Sequence, residues 1–222
     1  MSIPACDEDK AAWELQSAVA KPGFYMSYGK RLLDLSASAG GLLALLPLFL
    51  AIAIGIKLTS HGTVLFRQTR IGRQGRPFRI LKFRSMYTGG ADGSAVTVAS
   101  DRRITRLGKF LRRFKLDELP QLWNVFRGDM SLVGPRPEIP AYVAYYTLEQ
   151  RVVLSVRPGI TDPSSLAYRD EETVLDTASD PEHFYRTCIL PDKLARSSAY
   201  LQHITFSSDL RIILQTLGSS LF

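Results

Sequence analysis

An apolar run from Leu32 to Leu58 constrains the fold of this chain more than any other part of its sequence. As one straight helix it would be about 40 Å long at ~1.5 Å per residue, enough to cross a hydrocarbon core of ~30 Å. It has no polar face, which argues against a helix buried in a soluble core. It is long and no small-residue cleavage site follows it, so we expect no cleavable signal peptide. The run is therefore predicted to enter a membrane.

Pro47 lies in the middle of this run and predicts a break in it. A proline removes one backbone hydrogen bond, and its ring crowds the carbonyl of Leu43. In lipid the freed carbonyl needs a new partner. We expect Ser36, Ser38 or packing against the rest of the chain to satisfy it.

Basic residues flank both ends of the run, with Lys30 and Arg31 before it and Lys57 within its last turn. The positive-inside rule draws both ends to the cytoplasmic side. The sequence therefore favours a re-entrant helix over residues 25–58 that dips into one leaflet and returns. A kinked helix that spans the bilayer is the alternative.

The positive charge of the chain is regional. The formal net charge is +7, but residues 57–115 carry fifteen Lys or Arg against two acids, Asp92 and Asp101. Such a patch attracts polyanions, whether nucleic acid, anionic lipid headgroups or a nucleotide diphosphate. The two cysteines are too few for a disulfide framework, and three scattered histidines give no zinc pattern. A reducing compartment is the simplest fit.

The remaining pattern predicts an α+β fold, mostly helical and with a short β-hairpin. Residues 1–24 are expected to form a leader, residues 25–58 the membrane helix, and residues 59–222 a catalytic domain. Within that domain we predict extended segments at 62–68 and 77–86, a loop at 91–100, an amphipathic helix at 104–116, and a last helix capped by residues 207–209. The helix at 104–116 suits either a solvated basic face or the membrane interface.

Two adjacent carboxylates, Asp117 and Glu118, follow the basic stretch and precede Pro120. An ordinary helix start explains such a pair, with Asp117 as the cap. Phosphoryl chemistry explains it as well, because one carboxylate can attack phosphorus while the other holds Mg²⁺. The cations expected to stabilise phosphate charge are Lys82, Arg84, Arg112 and Arg136.

Ordered motifs extend from Lys30 to Leu217. They read Lys30-Arg31-x-x-Asp34, Gln68-x-Arg70-x-Gly72-x-x-Gly75-x-x-Phe78, Lys82-Phe83-Arg84-Ser85-Met86, the string from Leu116 to Pro137, and Arg157-Pro158-Gly159-Ile160-Thr161. In this order the chain resembles the bacterial sugar transferases, the single-domain, monotopic form of polyprenyl-phosphate phosphoglycosyl transferases. The re-entrant helix broken at Pro47 also belongs to that family.

The resemblance implies a two-step reaction at the cytoplasmic face of a bacterial inner membrane. Asp117 would attack the β-phosphorus of a UDP-sugar and release UMP, and undecaprenyl phosphate would then take the sugar phosphate from Asp117. Glu118 would act with Mg²⁺, or Mn²⁺, although which carboxylate contacts the ion stays open. The product would begin a surface glycan such as an exopolysaccharide, O-antigen, capsule or glycoprotein glycan. The expected substrate-binding residues are Lys82, Arg84, Arg112, Gln121, Asn124, Arg136, Arg157 and Pro158.

The chain departs from the family pattern at two places. Leu46 stands where members often have a serine before the helix-breaking proline, so another group must satisfy the backbone there. After Thr161 the chain reads Asp162-Pro163-Ser164-Ser165-Leu166, where many members have a Gly-Trp-Ala-Gln type of sequence. The donor sugar therefore stays open.

Two other functions compete with this one. An inactive membrane-anchored scaffold or partner-binding subunit would leave Asp117 and Glu118 as capping residues. A nucleic-acid binder would explain the charge but not the apolar run, and we expect no nucleic-acid partner. Membrane lipid is an expected partner, and nothing in the sequence forces or excludes a homo-oligomer.

Overall fold

A computed structural model describes residues 23–87 and 97–221 of the chain. Helices are α1 Lys30–Ala44, α2 Leu46–Thr59, α3 Arg106–Arg113, α4 Gln121–Arg127, α5 Pro140–Val143, α6 Pro163–Ala167, α7 Glu171–Asp176, α8 Pro181–Phe184, α9 Leu190–Leu201 and α10 Phe206–Leu221. Strands are β1 Leu65–Ile71, β2 Pro77–Phe83, β3 Ser131–Val133 and β4 Gly159–Thr161. Short π-helical turns precede α1 and α9, and 3-10 turns lie at Arg73–Gly75, Leu116–Glu118 and Gln150–Ser155. The mostly helical α+β fold is confirmed.

The break predicted at Pro47 is present at Leu45, between α1 and α2. The helical segment Tyr25–Ala44 and α2 are bent by 59°. No single helix among the described residues is long and apolar enough to cross a bilayer. The two helices of the bent pair reach the necessary length and apolar composition only when they are taken together. Leu43 and Leu58 are among the large apolar side chains that the pair leaves exposed.

The carbonyl freed by Pro47 is satisfied by the backbone rather than by the predicted serines. The Leu45 N–H donates to the carbonyls of Gly41 and Leu43. The hydroxyl of Ser36 donates to Leu32 and Leu33, and that of Ser38 to Leu35. The expectation for Ser36 and Ser38 was wrong because a helical serine reaches carbonyls three or four residues before it, not those after it.

The predicted hairpin is present as the antiparallel pair β1 and β2, with Leu65 opposite Phe83 and Ile71 opposite Pro77. Its turn requires left-handed backbone at Gln74 (φ 58°) and Gly75 (φ 71°), a conformation that glycine adopts at low cost. The predicted loop at 91–100 lies mostly outside the described residues, and so does almost all of the leader at 1–24.

The amphipathic helix is shorter than predicted. Instead of residues 104–116 it covers Arg106–Arg113, because Thr105 caps it by accepting a hydrogen bond from the Gly108 N–H. At the other end Lys115 takes a left-handed conformation (φ 54°), which stops the helix and turns the chain into the 3-10 turn Leu116–Glu118.

Of the predicted capping residues 207–209, Ser208 contributes to the cap of α10 and Asp209 does not. Thr205 and Ser208 make that cap, each side chain accepting from the backbone N–H of the other. Asp209 is instead buried and accepts hydrogen bonds from Lys30, Tyr25 and Tyr200. The last helix therefore clamps the start of the bent helix pair.

Two further contacts fix α1 on the domain. Asp34 accepts hydrogen bonds from the Ser131 hydroxyl and the Leu132 N–H, at the start of the parallel pair β3 and β4. Arg31 donates to the carbonyls of Val125 and Phe126 at the end of α4. Because α4 follows the Asp117-Glu118 turn directly, these contacts hold that turn close to the helix break.

Candidate active site

Asp117 and Glu118 lie together on the 3-10 turn between α3 and α4, and both are buried. Neither side chain caps a helix, and the Oδ1 atom of Asp117 has no hydrogen-bond partner among the described residues. A buried carboxylate oxygen without a partner is costly to keep. The helix-cap interpretation of Asp117 is therefore wrong, and the side chain is left available for chemistry.

Glu118 is held by two cations. Its Oε1 atom accepts from Lys82 Nζ at 2.6 Å and from Arg136 Nη2 at 2.7 Å. Burial alone would raise the pKa of Glu118, but the charges of Arg136 and Lys82 outweigh it and hold the pKa well below the usual range. Glu118 is consequently ionised at neutral pH.

The pKa of Asp117 moves in the opposite direction. Burial raises it most, the neighbouring charge of Glu118 raises it further, and Lys82 and Arg112 oppose both effects. Two adjacent carboxylates with pKa values pushed apart are a common arrangement in active sites, because each then has a different role.

The close approach of β3 and β4 positions Arg136 beside the Asp117-Glu118 turn. Gly134 and Gly159 lie so close that a Cβ on Gly159 would come within 2.1 Å of the Gly134 nitrogen. The Gly134 N–H donates to Thr161, and the Gly159 N–H donates to Pro135. The segment that follows β3 is therefore held against β4, with Arg136 directed at Glu118.

A polar cavity of about 600 Å³ opens in front of Asp117 and Glu118. Four of the predicted substrate-binding cations line it, namely Lys82, Arg84, Arg112 and Arg136. Arg112 is paired with the Glu172 carboxylate. The guanidinium of Arg84 donates to the carbonyls of Ser60 and His61, so it also fixes the end of α2.

The other four predicted substrate-binding residues make contacts within the fold. Asn124 accepts from the Leu81 N–H and donates to the Arg79 carbonyl, which joins α4 to β2. Arg157 donates to the Gly128 carbonyl, and the Pro158 carbonyl accepts from the Ser131 N–H. Gln121 is buried, and its Nε2 atom lacks a partner among the described residues.

The C-terminal half contributes cavity residues that the motifs did not single out. Glu138, Glu171, Glu172, Tyr185 and Lys193 all line the polar cavity. Glu171 and Glu172 belong to an acidic part of the sequence, residues 162–176, to which no function was assigned, and Lys193 belongs to no motif. Their position depends on contacts between distant parts of the chain, which leave no local pattern.

A second cavity, of about 760 Å³, lies beside the first and is mainly apolar. Leu45 and Leu48 line it at the helix break. Phe110 on α3, Phe114 directly after α3 and Leu217 on α10 line it as well. It therefore extends from the helix break to the Asp117-Glu118 turn, where Glu118 and Arg136 also border it.

Asp117 and Glu118 are the residues of this site that could hold a divalent cation together with a substrate. Within residues 23–87 and 97–221, no group of three or more His, Cys, Asp or Glu converges on a metal position. Mg²⁺, however, commonly uses one or two carboxylates and takes its other ligands from phosphate and water. The partnerless Oδ1 atom of Asp117 beside the ionised Glu118 meets that requirement.

Among known proteins, residues 25–222 match the family described as "Bacterial sugar transferase". The UDP-glucose:undecaprenyl-phosphate glucose-1-phosphate transferase of Caulobacter vibrioides is 41% identical over 197 residues, which are 86% of this chain and 69% of that protein. The UDP-N-acetylgalactosamine-undecaprenyl-phosphate N-acetylgalactosaminephosphotransferase of Aeromonas hydrophila is 35% identical over 90% of this chain and 45% of its own length.

The Undecaprenyl-phosphate glucose phosphotransferase of Komagataeibacter xylinus is 49% identical over 140 residues, or 60% of this chain. That match spans 26% of the Komagataeibacter protein. The chain thus covers between about a quarter and two thirds of the length of these relatives.

Proposed function

Because the chain belongs to the bacterial sugar transferase family, we propose that it moves a sugar 1-phosphate from a UDP-sugar to undecaprenyl phosphate. The observation that carries this proposal is the partnerless Asp117 oxygen in a cavity lined by Lys82, Arg112 and Arg136. A nucleophilic carboxylate beside several cations suits attack on a phosphate that would otherwise repel it.

In the first step Asp117 attacks the β-phosphorus of the UDP-sugar. A bond forms between a carboxylate oxygen and phosphorus, the bond from phosphorus to the oxygen bridging to the α-phosphate breaks, and UMP leaves with that electron pair. Arg112 and Lys82 are placed to stabilise the negative charge that spreads over the phosphate oxygens. The sugar phosphate remains on Asp117.

In the second step an oxygen of undecaprenyl phosphate attacks the same phosphorus. The bond between phosphorus and Asp117 breaks, the carboxylate is regenerated, and undecaprenyl-diphospho-sugar is the product. No proton transfer to or from Asp117 is required if both phosphates react as anions. The raised pKa of Asp117 makes its carboxylate more basic and therefore more nucleophilic than an exposed aspartate.

Mg²⁺, with Mn²⁺ as the alternative ion, would supply charge neutralisation to the diphosphate of the donor. Glu118 would hold that ion together with the phosphates of the donor, and its Oε2 atom is the less tightly held oxygen, since Arg136 approaches it only at 3.4 Å. Lys82 and Arg136 keep Glu118 ionised.

We also propose a monotopic position on the cytoplasmic face of the bacterial inner membrane. The bent helix pair exposes Leu43, Leu50, Ile54 and Leu58, which suits one leaflet of a bilayer. A lipid acceptor and a soluble donor then meet where the Asp117-Glu118 turn lies beside the helix break.

The test is release of UMP by the purified protein in detergent with Mg²⁺ and undecaprenyl phosphate. The donor panel begins with UDP-glucose and UDP-N-acetylgalactosamine, the donors in the names of the relatives. Mass spectrometry after incubation without the lipid should find a sugar phosphate on Asp117. An absence of UMP release across a broad panel would instead favour an inactive scaffold.

A further inference from the structure

The polar and apolar cavities share one wall. Six residues border both of them: Lys115, Glu118, Arg136, Glu171, Glu172 and Lys193. The polar cavity contains Asp117, whereas the apolar cavity begins at the helix break. A molecule with an apolar chain and a charged end could therefore lie in the apolar cavity and present its charge to this wall.

Lys193 is the most deeply buried cation of that wall. Its side chain is 6% exposed, compared with 31% for Arg136. Lys193 is paired with Glu171, and its Nζ atom lies 5.0 Å from the centre of the Tyr185 ring. A lysine is rarely buried to this extent unless a specific partner holds it.

Glu171 is less buried than the lysine it neutralises, with its side chain 24% exposed. It belongs to the short helix α7, and the proposed reaction gives it no role. An incoming phosphate carries more negative charge than one carboxylate and can replace Glu171 as the partner of Lys193. In the absence of substrate, the pair keeps the wall electrically neutral.

The other cations of the wall are less suited to a second phosphate. Arg136 is bound to Glu118, whose ionisation the donor step requires, and Lys115 is exposed. Arg112 lies outside this wall, because it lines only the polar cavity, and it is paired with Glu172. Lys193 alone among the described cations of this wall combines burial with a partner outside the Asp117-Glu118 turn.

We propose that the isoprenoid chain of the acceptor lies in the apolar cavity and that Lys193 binds the acceptor phosphate, displacing Glu171. The proposal rests on the proposed function, since it names the place of its second substrate. The atom balance is that of the second step: an oxygen of the lipid phosphate forms the new bond to phosphorus, and Asp117 leaves. Lys193 orients the attacking phosphate and exchanges no atom.

Two measurements test the proposal separately from the proposed function. The first is direct binding of undecaprenyl phosphate to the detergent-purified full chain, without any UDP-sugar, with undecaprenol as the matched ligand that lacks the phosphate. The second is UMP release with and without the lipid, which separates formation of the sugar phosphate adduct from its transfer.

For Lys193→Met we expect the Kd for undecaprenyl phosphate to rise about tenfold to a hundredfold, the usual effect of losing a charge-assisted hydrogen bond. Binding of undecaprenol should stay within about twofold of wild type, whereas UMP release with the lipid present should fall more than release without it. The control Lys109→Met removes the same charge from an exposed position on α3 and should leave both unchanged.

Glu171→Gln separates a phosphate site from a structural ion pair. It breaks the same pair but leaves the ammonium in place, so we expect the Kd for undecaprenyl phosphate to stay equal or fall. If the pair were only structural, Lys193→Met and Glu171→Gln would weaken both ligands alike. That outcome would overturn the proposal, and so would an unchanged Kd for undecaprenyl phosphate in Lys193→Met. If Lys193→Met does not fold, a raised Kd in Glu171→Gln would overturn it instead.

Discussion

Asp117 shows how one side chain can be unfavourable for folding and necessary for the proposed chemistry. Its folded-state pKa is raised by burial and by Glu118, so the folded protein binds that proton more tightly than the unfolded chain does. The stability associated with the protonated group is present below the unfolded pKa and is lost as the pH rises through the folded pKa. At neutral pH the ionised carboxylate therefore destabilises the fold.

Replacing Asp117 by Asn should remove that cost together with the nucleophile. We expect Asp117→Asn to lower UMP release by more than about a thousandfold. We expect it also to stabilise the protein at pH 7.5 by roughly 0.5–2 kcal/mol, the common gain when an unfavourable functional group is replaced. Thermal unfolding should show this difference shrinking towards pH 4, whereas a constant difference would argue against the titration of Asp117.

The same pKa shift sets the pH dependence of the first step. Attack requires the ionised form of Asp117, so adduct formation should fall as the pH is lowered through a value above the ordinary 3.8 of an aspartate. The measurement is the initial rate of UMP release without lipid acceptor between pH 4 and pH 8. A rate that stays constant down to the pKa of an exposed aspartate would contradict the assignment.

At the scale of the elements, the join between the bent helix pair and α10 depends on one buried charge. Asp209 has a side chain that is 1% exposed, and Lys30 supplies its positive partner. Removing one partner of a buried pair leaves the other charge uncompensated, so Lys30→Met should destabilise the fold by about 3–5 kcal/mol. Thermal unfolding in detergent measures this loss.

Two further variants test whether the loss of stability comes from the uncompensated charge of Asp209. Lys109→Met on the exposed face of α3 should change stability by less than about 0.5 kcal/mol. In the Lys30→Met background, Asp209→Asn should restore part of the loss, because an uncharged side chain costs less to bury. A double variant less stable than Lys30→Met would indicate that the hydrogen bonds from Tyr25 and Tyr200 need the carboxylate.

The elements that could be predicted were those with local causes. Pro47 broke the apolar helix, Gly75 permitted the hairpin turn, and the helical spacing of apolar residues among basic ones indicated α3. The predicted ends of α3 were wrong because the cap made by Thr105 and the left-handed backbone of Lys115 determine them. Neither feature shows in the periodicity of the sequence.

The site could be predicted only in part, for a related physical reason. The adjacent pair Asp117-Glu118 and the nearby cations follow from sequence proximity and motif. Lys193 reaches the cavity from α9 and Glu171 from α7, and Asp209 meets Lys30 across 179 residues. Contacts of that kind have no spacing that a single sequence reveals.

At the scale of the whole molecule, the proposed topology places both ends of the bent helix pair on one side of the membrane. Tyr28→Cys and Lys57→Cys sit at exposed positions near the two ends. In a background with Cys6 and Cys188 replaced by serine, both should react with an impermeant thiol reagent from the same side of sealed vesicles. Reaction from opposite sides would instead establish the kinked spanning helix.

The clamp between Lys30 and Asp209 also bears on how the chain is made. The two residues are 179 positions apart, so at about 5–20 residues per second the ribosome needs roughly 10–35 s to supply Asp209 after Lys30 has been synthesised. During that interval the apolar pair lacks its clamp and exposes much of its surface. Early delivery to a membrane, or a chaperone that covers the pair, would protect the nascent chain until its last helix is complete.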